Sequence, residues 1–211
     1  MKKLIALLLT LVMVLTVAAG CRNNQTETPG ETTTNPTTTD PTTNTTDPTT
    51  GASDSAPESA LGLLENVWAL YGEDEKFFAA GGDENNQAND APGSYDTTNA
   101  DALMFSLLVP EGQIAGIREA ANLMHAMNSN ILSAAAFRLA EGTDAAAFAS
   151  AMRDAVQNNQ WLCGFPEKLL IATVEGEYVV VAYGQEPLAT FQSKLTAAYP
   201  QTQIVYNEAI G

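Results

Sequence analysis

Between Arg22 and Pro57 the chain carries 14 Thr and five Pro and almost no large apolar side chain. Stretches such as Thr32-Thr33-Thr34-Asn35-Pro36 and Thr42-Thr43-Asn44-Thr45-Thr46-Asp47-Pro48 succeed one another without hydrophobic periodicity. Such a segment cannot bury enough apolar surface to offset the entropy of ordering its backbone, so it reads as a disordered tether. Its prolines stiffen it towards extended geometry, with a reach of roughly 110 Å fully drawn out and about 35 Å as a flexible coil. Folding is left to the C-terminal part: Glu58 to Gly211 gives 154 residues, sufficient for one domain with its own core. The expected organisation is 1–20, 21–57 and 58–211, with no internal repeat.

The first 20 residues run from Lys2-Lys3 through the apolar stretch Leu4 to Leu15 to the small residues Val17-Ala18-Ala19-Gly20. That is the order of a secretory signal peptide. The apolar stretch is shorter than the ~20 residues a spanning helix needs, which favours cleavage over retention. Ala18-Ala19-Gly20-Cys21 resembles the lipobox of bacterial lipoproteins, with Ala18 where Leu is commoner. The resemblance implies that Cys21 receives a diacylglyceryl group, becomes the first mature residue and anchors the domain to the outer face of the cell membrane. Acyl chains such as palmitate contribute about 0.8 kcal/mol per buried CH₂, and two chains suffice for stable anchoring. The plainer alternative is a secreted protein in which Cys21 is incidental.

Loss of Lys2 and Lys3 with the signal peptide leaves seven Lys/Arg against 25 Asp/Glu, a net charge of −18. This argues against nucleic acid, whose affinity rests on basic side chains at phosphates. It argues equally against electrostatic adhesion to anionic lipid, and suits a soluble surface at a membrane or wall, a Gram-positive envelope being the preferred setting. Once Cys21 is lipidated only Cys163 remains, so no intramolecular disulfide is available.

Within the domain, Leu61, Leu64, Val67, Trp68 and Tyr71 recur at helical spacing after Pro57-Glu58, and Gly72 closes the helix. Residues 79–99 read as a Gly/Asn/Asp-rich loop, and residues 102–109 as a short apolar segment of open type. Ile114, Ile117, Ala121, Met124 and Met127 predict a second helix. Alternation in 130–140 predicts a strand, and Ala147, Phe148, Ala151, Met152, Ala155 and Val156 a helix capped by Thr143. The β-rich runs 169–174 and 178–183, joined at Glu175-Gly176, predict a hairpin. Leu188, Phe191, Leu195 and Tyr199 predict a last helix, and 203–206 a last strand. The order β-α-β-β-α-β predicts an α+β fold: a ferredoxin-like antiparallel sheet with helices on one face, preceded by two N-terminal helices.

Chemistry-bearing residues are sparse. His125 is the sole histidine, and zinc sites need several Cys and His ligands, so no metal or cofactor site is expected. A Cys nucleophile needs a base within reach, and His125 would be its only imidazole. The bland reading makes Cys163 a small core residue, with Trp161 and Cys163 buried and closing the end of the sheet. The run Asp83-Glu84-Asn85-Asn86-Gln87-Ala88-Asn89-Asp90 departs from an EF-hand, which requires Gly and Glu where Ala88 and Ser94 stand. Loose calcium binding by 83–90 and a solvated turn both stay open. No nucleophile elbow, phosphate loop or Cys-x-x-Cys occurs, and carboxylates are too scattered to single out a pair for catalysis.

At Trp68-Ala69-Leu70-Tyr71, Gly81-Gly82-Asp83, Leu123-Met124-His125 with Met127-Asn128, and Trp161-Leu162-Cys163-Gly164-Phe165-Pro166, the chain is similar to small uncharacterised lipoproteins of anaerobic Gram-positive bacteria. Some of these carry a bacteriocin transport accessory label, and the lack of Cys-x-x-Cys counts against any redox version of that role. The resemblance implies a shared fold and an envelope location, and transfers no catalytic residue. The sequence thus points to a membrane-anchored, non-catalytic binding or accessory module for a peptide, wall fragment or envelope protein. An envelope enzyme using Cys163 or a carboxylate pair is the alternative.

Overall fold

The computed structural model describes residues 56–162 and 164–211. The expected signal peptide, Cys21, the tether up to residue 55 and Cys163 lie outside the described residues. Helix α1 (Ala60–Ala69) begins where the Ser59 hydroxyl accepts from the Gly62 N–H at 2.9 Å, and buries Leu63, Leu64 and Val67. Three short strands come next: β1 (Ala79–Gly81), β2 (Ala88–Asn89) and β3 (Gly93–Tyr95). Helix α2 (Ala100–Leu107) is capped by Asn99 and stopped by Leu108 in the left-handed region, ahead of Pro110. A 3-10 turn (Glu111–Gly116) leads into β4 (Ile117–His125), then β5 (Leu132–Leu139) and α3 (Ala145–Gln157). The chain ends with β6 (Lys168–Val174), β7 (Tyr178–Gly184), α4 (Pro187–Ala198) and β8 (Gln203–Ala209).

All pairings in the eight-stranded sheet are antiparallel, in the order β2-β1-β4-β5-β7-β6-β8, with β3 also on the outer edge of β4. The expected hairpin is present, and Glu175 and Gly176 both take positive φ, the turn that matches the twist of a two-residue connection. The element order β5-α3-β6-β7-α4-β8 is the one expected, but two finer expectations are corrected. First, β8 pairs with β6 rather than beside β5, because β4 already occupies the free edge of β5. Second, helices cover both faces. The two crossovers β5-α3-β6 and β7-α4-β8 step the same way across the sheet from strands that run oppositely, so crossovers of one hand place their helices on opposite sides.

Two cores result. On one face α1 and α4 pack over Ala134, Ala136, Leu170, Ala172, Val180 and Ala182. On the other, α2 and α3 pack over Ala135, Phe137, Leu169, Ile171, Val179 and Val181. Strand side chains alternate between faces, so β7 is buried along all seven residues.

Three local expectations also change. Residues 117–125 are strand, not the second N-terminal helix; that second helix is α2, in the segment of open type. The spacing of Ile117, Ala121 and Met124 suits a helix, yet the central position beside β5 overrides the preference of Ala120 and Ala121. The supposed loop 79–99 contains β1, β2 and β3. Helix α3 is capped by Asp144, whose carboxylate accepts from Ala146 and Ala147, while Thr143 donates to the Gly116 carbonyl.

Phe148 and Phe191 are both fully buried, one in each core. Truncating either to Ala is expected to cost about 3–5 kcal/mol in denaturant melts of the full chain. A one-faced sheet would make only one of the two substitutions severe.

Candidate functional site

The α2/α3 face is incompletely covered. At the end of the sheet where β4 and β7 finish and β5 begins, a cleft of about 1020 Å³ opens between α2, the β1–β3 segment and residues 159–162. Its floor is Met124, Ser133 and Tyr183, one residue from each of three strands. Ser133 and Tyr183 stand directly opposite each other in the β5–β7 register, with their hydroxyl-bearing side chains on the same face. Burial pushes the Tyr183 hydroxyl up, against the lowering effect of the neighbouring Ser133 hydroxyl. A second set of hydroxyls, Tyr95 and Ser106, lines the wall under α2; burial again pushes the phenol up, the serine hydroxyl opposes it, and Asp83 adds to the rise. Both phenols therefore stay protonated at neutral pH and serve as donor and acceptor.

The wall from β1 to β3 is built tightly. Asp83, 6% exposed, accepts from the Asn85 and Asn86 N–H groups and the Asn86 side chain at one oxygen, and from the Asp96 N–H at 2.6 Å at the other. Burial alone would raise its carboxyl; the four hydrogen bonds outweigh that and hold it below the ordinary carboxylate range. Buried Asn122 accepts from the Gly82 N–H at 2.7 Å. Gly82 takes φ +83, and a Cβ there would fall on the Asn86 carbonyl oxygen. Asp83 thus serves as a staple for its own loop. Among the described residues no group of three or more His, Cys, Asp or Glu is placed to hold a metal, and Asp83 is already engaged by its own loop.

The third wall, residues 159–162, comes directly after α3. Trp161 is half-buried rather than buried as expected: its ring lies 5.0 Å from that of Tyr183, and it lines the cleft. Its Nε1 is buried without an acceptor among the described residues, a state that costs about 1–3 kcal/mol until an acceptor arrives. Asn130 steadies the segment by donating to the Gly164 carbonyl at 3.2 Å. Leu162 is 91% exposed and Phe105, on α2, 80% exposed; both line the cleft.

The remaining lining is rich in carboxamides, among them Gln87, Asn89, Asn159 and Gln160, and includes the carboxylates of Glu84 and Asp101. His125 is not part of it. Its ring stacks on Phe77 at 5.5 Å on the α1 face, while the neighbouring Met124 points to the cleft. Sequence reasoning singles out Trp161 and Asp83 but misses Ser133, Tyr183 and Tyr95. The clue to them is a hydroxyl inside otherwise apolar strands, which a buried strand tolerates only where it finds a partner.

Comparison with protein-family models, with curated proteins and with solved structures finds no match. Among the described residues no helix is long and apolar enough to cross a membrane.

Asp83→Asn presents an amide N–H₂ where the loop needs an acceptor and is expected to cost roughly 2–3 kcal/mol in chemical denaturation. Because the folded-state carboxyl is held low, the contribution of Asp83 is complete above the unfolded value of about 3.9 and is lost as pH falls through the lower folded value. The gap between wild type and variant should therefore be full at pH 7 and close only on acidification below about 4. A pH-independent gap would refute the staple.

Proposed function

We propose that this chain is a lipid-anchored, extracytoplasmic binding module whose ligand occupies the cleft over Ser133 and Tyr183. The observation that carries the reading is the make-up of that cleft: paired hydroxyls, carboxamides and aromatic faces on rigid elements, the chemistry of recognition by hydrogen bonding and stacking. Polar groups that converge on a roomy concave surface and are held by strands and a stapled loop suit a preformed binding site.

The attachment geometry supports the same reading. Pro57, where the tether joins the domain, accepts a hydrogen bond from the Tyr178 hydroxyl at 2.8 Å. Tyr178 begins β7 and Tyr183 lies near its end, so Pro57 and the cleft sit about 17 Å apart along one strand. The lipobox-like Ala18-Ala19-Gly20-Cys21 and the likeness to envelope lipoproteins support the lipid anchor.

The enzyme alternative rests on Cys163, next to the cleft residue Leu162 in sequence. His125, its only imidazole, stacks on the far side of the sheet, so that version needs a different base. Two measurements test the proposal. Cys21→Ala is expected to abolish partitioning of the protein into a detergent phase, and equal partitioning of variant and wild type would remove the anchor. Cys163→Ser is expected to lower stability mildly to moderately and to abolish no activity. A turnover of any envelope-derived substrate that Cys163→Ser abolishes would replace the binding module with an enzyme.

A further inference from the structure

Building on the cleft as the binding site, we infer that its ligand is a basic peptide with apolar side chains, held by the carboxylates of Glu84 and Asp101 and by the apolar rim of Phe105 and Leu162. Charge gives the first argument. No Lys, Arg or His among the described residues lines the cleft, whereas Asp83, Glu84 and Asp101 do. Asp83 is consumed by its loop, but Glu84 and Asp101 enter none of the ion pairs among the described residues. Those pairs instead engage Lys76, Arg138, Arg153 and Lys194 elsewhere on the domain. With a net charge of −16 on the whole chain, field lines in a concave, low-dielectric wall attract cations and repel phosphates, nucleotides and acidic glycans.

Exposure gives the second. Phe105 and Leu162 are the two most exposed large apolar side chains described, and both stand on the cleft, one on α2 and one after α3. Isolated exposed apolar residues are ordinary, but two on facing walls of one groove mark a surface that gains by being covered. A sugar would use the carboxamides and leave this rim wet. A peptide uses everything present: main-chain amides for the carboxamides and the Ser–Tyr hydroxyls, apolar side chains for the rim, and ammonium or guanidinium groups for the carboxylates and the Trp161 face. The volume of about 1020 Å³ suits several residues rather than a single amino acid.

The chain has two tryptophans, and Trp68 packs on the opposite face against Tyr71 and Phe77, so Trp161 reports on the cleft. The full-length chain in zwitterionic nanodiscs would be titrated with a Lys–Leu alternating hexapeptide, its Glu–Leu counterpart and a neutral N-acetylglucosamine tetramer, with Trp161 emission as the readout. The Lys–Leu peptide is expected to saturate the signal, with an affinity that falls as salt rises. Trp161→Phe should remove the signal, and Glu84→Gln with Asp101→Asn should weaken binding at least tenfold at low salt without moving the melting transition. Saturation by the sugar or the Glu–Leu peptide, and not by Lys–Leu, would overturn the basic-peptide inference while keeping the cleft as a binding site. A Lys–Leu response indifferent to Trp161→Phe and to both carboxylate substitutions, or no response of Trp161 to any probe, would overturn the inference and the cleft reading together.

Discussion

The structure depends on the burial of β7 on both faces. Tyr178, Val179, Val180, Val181, Ala182 and Tyr183 cannot all be withdrawn from water by helices on one side of a sheet, because successive side chains point opposite ways. Each buried valine is worth about 1.5–3 kcal/mol, so leaving one face of β7 wet would forfeit a large part of the net stability of a domain. Helices on both faces are the answer to that demand. The small residues of β5, Ala134 and Ala136 towards α1 and Ala135 towards α3, let those layers approach closely.

Covering two faces with four helices leaves one region bare, and the cleft is that region. Helix α2 packs its Leu103 and Leu107 near Ile117 and Leu139, at the start of β4 and the end of β5. The opposite end of that face, with Ser133 and Tyr183, opens into the cleft, with α2 along one side. It is also walled by a loop that Asp83 and Asn122 hold in place and by the segment after α3. Floor and walls thus come from elements with independent structural reasons to be rigid, as a preformed site requires.

Much of this is legible in the sequence, and the failures share a cause. The Glu175-Gly176 turn, the strands around it and the helices α1, α3 and α4 come from local pattern. Residues 102–109 have no clear type on pattern alone, and 117–125 mimic a helix, because Ala120, Ala121 and Met124 lack a β preference of their own. They become strand only by lying between β5 and the edge strands β1 and β3. The continuous run Tyr178-Val179-Val180-Val181-Ala182-Tyr183 itself denies a one-faced sheet, since a half-exposed strand alternates and a doubly covered one does not. The cleft is only partly visible. Trp161 and Asp83 stand out as unusual residues in connecting segments, but the Ser133–Tyr183 pair exists only through a register that joins positions 50 residues apart.

Amide hydrogen exchange on the full chain, resolved by segment, tests the doubly covered sheet most directly. The expectation is that β5 and β7 exchange slowest, only through global unfolding, and that the stapled residues 82–96 are protected well above the level of an exposed loop. If β7 amides exchanged through a local opening of either helical layer, or if 82–96 exchanged as fast as an unstructured chain, the two-faced core and the preformed cleft built on it would both be contradicted.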